Sequence, residues 1–205
     1  LLKRTANFGA VSALHQSSIY IGKMLVQGAV NSGGTEIISA YTATTRIEGF
    51  SNSFGDSGST AISVFVAQNR GAGDKKRALK GFHQGLGLMI VFVIILSALQ
   101  AALTRGAVQL LMGNPSETVM KNAVLYMNVV SVFYILNFVG NAGVGFFRGI
   151  GDLKVTLMSS FTNMAVRVIA AAPMILLWNF GIEALPYSYL AGWVAMLLVE
   201  TPLML

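Results

Sequence analysis

The residues of this sequence best suited to chemistry form a stripe. Glu48, Asn52, Asp56, Ser59 and Ser63 are spaced four, four, three and four apart, which sets them on one face of a helix. The intervening residues are mostly apolar or small, with Gly55 and Gly58 beside the stripe. A carboxylate inside such a run, Asp56 above all, is a candidate for exchanging protons or pairing with a cation. Held by hydroxyl and cation partners, the same carboxylate would instead fix helix packing.

Two further stripes accompany it. Ser12, Gln16, Tyr20, Lys23 and Gln27 share a face near the N-terminus, and Thr156, Ser160, Asn163 and Arg167 share another. Arg167 falls near the middle of its apolar run, so it must point into a bundle or a wet cavity. There it would anchor a neighbouring helix's carbonyls or set the local field. Counting about 1.5 Å per residue back from Gly33-Gly34 brings Lys23 level with Glu48, and an ion pair between them, structural in kind, is expected. The same count sets Asp56 near the depth of Ser12, His15 and Gln16. His15 reads as a packing residue, and Asn137 and Asn141, one turn apart, as bridges between helices. The candidate substrate-binding or ion-coupling residues are therefore Asp56, Glu48, Asn52, Gln16, Lys23, Arg167 and Asn141. No nucleophile–base arrangement, catalytic residue or phosphate-cradling loop emerges, and the expectation is a non-enzyme.

The elements that carry these stripes follow from composition. The 205 residues are 54% hydrophobic and 11% charged, with a mean hydropathy of +0.65. A water-exposed domain carries about a quarter charged residues. Here the apolar residues come in blocks long enough to cross the roughly 30 Å hydrocarbon layer, which takes about 20 helical residues. The expectation is an all-α membrane protein, a single membrane domain over 1–205. Its spans are expected near 6–30, 37–68, 76–104, 116–148, 153–180 and 185–205. The runs lack the alternation of a membrane β-barrel. Helix four should start with Asn114 as cap and Pro115 at its first helical position, Glu117 following. Gly81 with Gly85, and Gly145 with Gly149, have close-packing spacing.

Charge placement sets an expected orientation. Lys3, Arg4, Arg70, Lys75, Lys76, Arg77, Lys80, Arg148 and Lys154 make nine of fourteen basic residues, and all lie at one set of connections. The alternate connections hold only Arg105 securely, so the first set, with both ends, is expected on the cytoplasmic side. The net charge of +6 is thus a topological signal, not a nucleic-acid patch. With no cysteine and two distant histidines, neither a metal site nor a cofactor is expected. The chain starts at Leu1-Leu2 and stops inside an apolar block at Leu205, which suggests a piece of a longer protein.

Two loops carry a family resemblance. Ala67-Gln68-Asn69-Arg70-Gly71-Ala72-Gly73-Asp74, followed by Arg77-Ala78, is similar to the Gln-Asn-x-Gly-Ala-Gly loop of multidrug and toxic compound extrusion (MATE) transporters. Phe147-Arg148-Gly149-Ile150-Gly151-Asp152 is similar to their Arg-Gly-x-Gly-Asp loop, and Arg46-Ile47-Glu48-x-Phe50 resembles the start of their eighth helix. Arg167 falls where many bacterial members carry arginine. The chain resembles the C-terminal six-helix half.

The resemblance implies a twelve-helix transporter of two lobes, with the substrate between them and the N-terminal lobe as partner. Such proteins sit in the bacterial inner membrane and export cationic, often aromatic compounds in exchange for protons or sodium. Loop residues Gln68, Asn69, Gly71, Gly73, Arg148, Gly149, Gly151 and Asp152 carry over as motif positions, with membrane lipid touching the basic loops. The sequence also departs from the family. Some members hold sodium with an acidic residue in the seventh helix, where Gln16 stands here. Asp56 occupies a position that is apolar in many members, so its role rests on its own polar stripe. A lipid-linked oligosaccharide flippase of the same superfamily, or a membrane scaffold that transports nothing, are the alternative readings.

Overall fold

The computed structural model describes residues 2–176 and 180–204, with side chains outside 2–5, 7, 8, 11 and 176. The side chains of Lys3 and Arg4, and the 177–179 portion of the expected fifth span, lie outside the described residues. Six helices follow one another: α1 (Leu2–Asn31), α2 (Thr35–Gly71), α3 (Lys75–Met112), α4 (Glu117–Ile150), α5 (Leu153–Leu176) and α6 (Ala184–Met204). This is an all-α membrane bundle.

Turn chemistry separates the helices. Gly34, Gly73, Gly113 and Gly151 all have positive φ, between 74° and 89°, a region that only glycine enters freely. Asp74 caps α3 by accepting from the Arg77 amide at 2.8 Å. Two expected boundaries are corrected. Helix α3 continues eight residues past Thr104, through Arg105 and Gly106, and stops where Gly113 turns the chain. One arginine and one glycine do not interrupt hydrogen bonding that the flanking apolar turns sustain. The cap of α4 is Ser116, not Asn114; its hydroxyl accepts from the Val119 amide at 3.2 Å. Pro115 therefore lies just before the helix, and its fixed φ serves the entry into the cap.

Lys75–Met112, Glu117–Ile150 and Leu153–Ile175 are long and apolar enough to cross a membrane by length and composition. The outer face of α3 exposes Leu88, Val91, Ile94, Ile95, Leu103 and Leu110, an apolar stripe far too large for a water-facing helix. Helices α1 and α2 have the length but are more polar, because their polar stripes face the interior.

Helix α4 is the hub, packing on α2, α3 and α6. Its glycines permit this. A Cβ at Gly149 would come within 2.7 Å of the Ser63 carbonyl of α2, and one at Gly145 would collide with the Ser59 carbonyl. One turn earlier, a Cβ at Gly140 or Gly143 would strike Met196 or Glu200 of α6. The expected Gly145–Gly149 pair thus sets two backbones in contact. Gly81 and Gly85 of α3 instead make room for side chains of α2, those of Phe65 and Ile62. Helix α1 packs chiefly on α5 and touches α2 little beyond their shared turn.

Candidate functional site

Because α1 leans on α5, a cleft of about 230 Å³ opens between it and α2, with α4 and α6 behind. The three polar stripes converge there. Helix α1 contributes His15, Gln16, Tyr20 and Lys23, and α2 contributes Glu48, Asn52, Asp56, Ser59 and Thr60. From α5 come Ser160, Asn163 and Arg167. Ser63 lies outside the lining, its backbone engaged by Gly149, and Thr156 turns back to the Asp152 carbonyl at 3.3 Å. Ser12 and Gln27 are likewise not part of the wall.

The candidate residues play different parts. Glu48 is 4% exposed and accepts from the Tyr126 hydroxyl at 2.7 Å. A second, longer bond of 3.5 Å reaches its other oxygen from Tyr189, whose hydroxyl lies 3.3 Å from that of Tyr41. The expected Lys23–Glu48 ion pair is not formed among the described residues. Lys23 is exposed in the cleft, over the Tyr20 ring at 5.7 Å, and the gap between α1 and α2 separates the two groups. Depth counting from a turn assumes that helices joined in sequence also pack together, and α1 packs chiefly on α5 instead.

Arg167 is 5% exposed, its guanidinium carbon 3.1 Å from the centre of the Tyr189 ring. This corrects the expectation of carbonyl anchoring: the planar cation stacks on an aromatic face. Its Nε and Nη2 have no hydrogen-bond partner among the described residues. Asn137 donates to Asn52 Oδ1 at 3.1 Å, bridging α4 to α2, and Asn141 donates back to Asn137 at 3.0 Å. The bridging role expected of these asparagines is filled by Asn137, whereas the bonds of Asn141 stay within α4; both also line the cleft. Gln16 and Asp56 are exposed within the wall, and the Asp56 carboxylate makes no hydrogen bond or ion pair among the described residues.

The motif loops lie together beneath this cleft. Arg70 Nη1 donates to the Ile150 carbonyl, tying the first loop to the second. Gln68 and Asn69 hold the first loop internally: their carbonyls accept from the Ala72 and Asp74 amides at 3.0 and 2.9 Å. The Asn69 amide donates to Phe65 at 2.8 Å. Gly71 ends α2, and Gly73 and Gly151 turn at φ 81°. Asp152 accepts from the Val155 amide at 3.3 Å at the start of α5. Arg148 differs from its loop neighbours, because it reaches the cleft wall.

Sequence reasoning missed the aromatic back wall of Tyr134, Tyr189 and Trp193, with Met196 beside it. On apolar helices such residues read as ordinary core. It also missed Glu200, 1% exposed on α6, whose carboxylate accepts from Ser159. The available signal was spacing, since Tyr189, Trp193, Met196 and Glu200 recur at four, three and four along one face.

Comparison with known proteins accords with this geometry. The fold matches an outward-facing multidrug resistance MATE family transporter of the MOP superfamily, with a TM-score of 0.90 at 16% identity, covering 99% of this chain and 45% of that one. A MOP superfamily transporter from Pyrococcus furiosus, described as having a binding pocket of reverse polarity, matches with a TM-score of 0.90 at 17% identity, over 99% and 45% of the two chains. A MATE protein in complex with MaD3S matches with a TM-score of 0.91 at 17% identity, over 98% and 45%. The chain thus spans less than half the length of these structures and corresponds to one of their lobes. No curated protein sequence matches it. The MatE family profile matches residues 11–173, well over half of the sequence, and the chain belongs to the MatE family.

Proposed function

We propose that this chain is the C-terminal lobe of a secondary transporter that exports small organic cations from bacterial cells in exchange for protons. The supporting observation is Asp56, a carboxylate exposed in the wall of an intramembrane cleft, near Lys23 and Arg148 but with no hydrogen bond or ion pair among the described residues. A free acid beside an aromatic wall suits both an aromatic cation and a proton, bound in turn. Glu48, by contrast, is already hydrogen-bonded and braces the cleft. The second lobe would close the site from the far side, and the basic loops would face the cytoplasm.

The test is ethidium efflux from cells expressing the full parent chain, with and without a proton gradient. Gradient-driven efflux that Asp56→Asn abolishes supports the proposal. Efflux untouched by the substitution removes Asp56 from the coupling path. A second reading draws on Lys23, Arg148 and Arg167, three basic groups against two carboxylates in the wall. That balance suits an acidic headgroup, as a lipid-linked substrate would carry. An expressed, folded wild type that moves no dye favours this flippase reading.

A further inference from the structure

Glu200 lies outside the cleft and takes no part in the function proposed above, yet it is the most deeply buried acid in the described structure, 1% exposed. Helix α6 packs on α5 and α4, and each presents one residue to the carboxylate. From α5, Ser159, itself fully buried, donates its hydroxyl to Oε1. From α4, Gly143 leaves the space that Oε2 occupies; a Cβ there would collide with this oxygen. Oε2 has no hydrogen-bond partner among the described residues. The charged residues of the two facing helices are Glu117, Lys121 and Arg148 on α4 and Lys154 and Arg167 on α5. None of them forms an ion pair with Glu200 among the described residues.

A carboxylate within the membrane needs a counter-charge or a bound ligand. A hard metal cation would take about six oxygens, whereas only Glu200 and Ser159 supply side-chain oxygens at this point, and no group of three acidic or histidine ligands occurs among the described residues. The species that fits one unpartnered oxygen in a space made by a missing Cβ is a proton.

A route connects this oxygen to the cleft. Met196, one helical turn before Glu200, lines the cleft, whereas Glu200 does not. Asn163 also lines the cleft and donates to Met196 Sδ at 3.5 Å, while its own Oδ1, beside Gly192, has no partner among the described residues. Methionine is flexible and unbranched, so a rotamer change at Met196 would join Asn163 to Glu200 through water.

We propose that Glu200, with Ser159, is a proton-binding site of this lobe, separate from the substrate-facing acids, which exchanges with the cleft past Met196. Two acids, one in the cleft wall and one behind it, would let the lobe hold a proton while Asp56 is occupied by substrate. This second role rests on the transport reading; the binding of the proton does not.

The experiment is infrared difference spectroscopy of the purified intact transporter across a pH titration, reading the C=O stretch of protonated carboxyl groups. Dye efflux is measured over the same pH range. The proposal expects a titrating carboxyl band that Glu200→Gln removes and Ser159→Ala shifts in frequency, with the pH dependence of efflux flattened in Glu200→Gln. If Glu200→Gln fails to fold, the Ser159→Ala shift decides the assignment. A carboxyl band unchanged in both variants overturns the site. A band that Glu200→Gln removes, with pH dependence as in wild type, overturns exchange with the cleft. A wild type that moves no dye defeats the transport reading alone, because the band and its titration are read without substrate.

Discussion

The Tyr126 hydroxyl donates to Glu48 Oε1 at 2.7 Å, joining α4 to α2 through two side chains that are both buried. The other oxygen of Glu48 has only the long contact from Tyr189. Tyr126 is therefore the principal donor to a buried acid, and its ring meets those of Tyr41 and Tyr189 edge-on at 6.1 and 6.3 Å. The pair is a brace at the back of the cleft: Glu48 is a buried part of its lining and Tyr126 lies behind it.

Tyr126→Phe keeps the ring and removes the donor. Leaving a buried acceptor unsatisfied costs about 1–3 kcal/mol, so the intact transporter in detergent should unfold at lower temperature or denaturant. Glu48→Gln combined with Tyr126→Phe should cost less than the sum of the two, because they share one bond. Unfolding unchanged by Tyr126→Phe would show that the bond braces nothing.

Gly145→Ala drives a methyl into the Ser59 carbonyl of α2. Overpacking of this kind costs about 1–3 kcal/mol, and a backbone atom cannot swing aside. Gly87→Ala on α3 is the control, since nothing lies within 4 Å of its Cβ position. There the higher helix propensity of alanine should leave stability equal or raised by up to about 1 kcal/mol. Equal loss at both positions would contradict the close α2–α4 contact.

Arg167→Lys preserves charge but not the planar stack on Tyr189. A desolvated cation–π contact contributes about 2 kcal/mol, and a compact ammonium matches the ring less well. Thermal unfolding should rank wild type above Arg167→Lys, and both above Arg167→Ala. A lysine variant as stable as wild type would mean that charge alone matters at this position.

Arg70→Ala cuts the bond between the two glycine loops. The global cost should be modest, about 0.5–1.5 kcal/mol, but the effect should be local. Hydrogen exchange should quicken at Gly149 to Asp152 while the Asn31–Gly34 turn at the opposite end stays as in wild type. Uniform exchange across both ends would argue against a specific tie.

Much of this protein was legible in the order of its residues. Six apolar blocks, the glycine turns between them and the polar stripes on three helices follow from local periodicity and turn chemistry, which act over a few residues. The Gly145–Gly149 spacing announced a close helix contact for the same reason. Those features also carried the family resemblance, since loop motifs are local strings.

Pairing between helices was decided only by the tertiary structure. Lys23 and Glu48 line one cleft without pairing, because α1 packs on α5 and the space left beside α2 becomes that cleft. Arg167 met an aromatic ring from α6 instead of a carbonyl, and Glu200 met Ser159 across 41 residues. Which faces come together depends on where glycines let backbones approach, and the partner across each contact is set by packing distant in the chain. For that reason Asp56 and Glu48, alike on one stripe, end in different surroundings: one exposed in the cleft wall, the other buried in it and bonded to Tyr126.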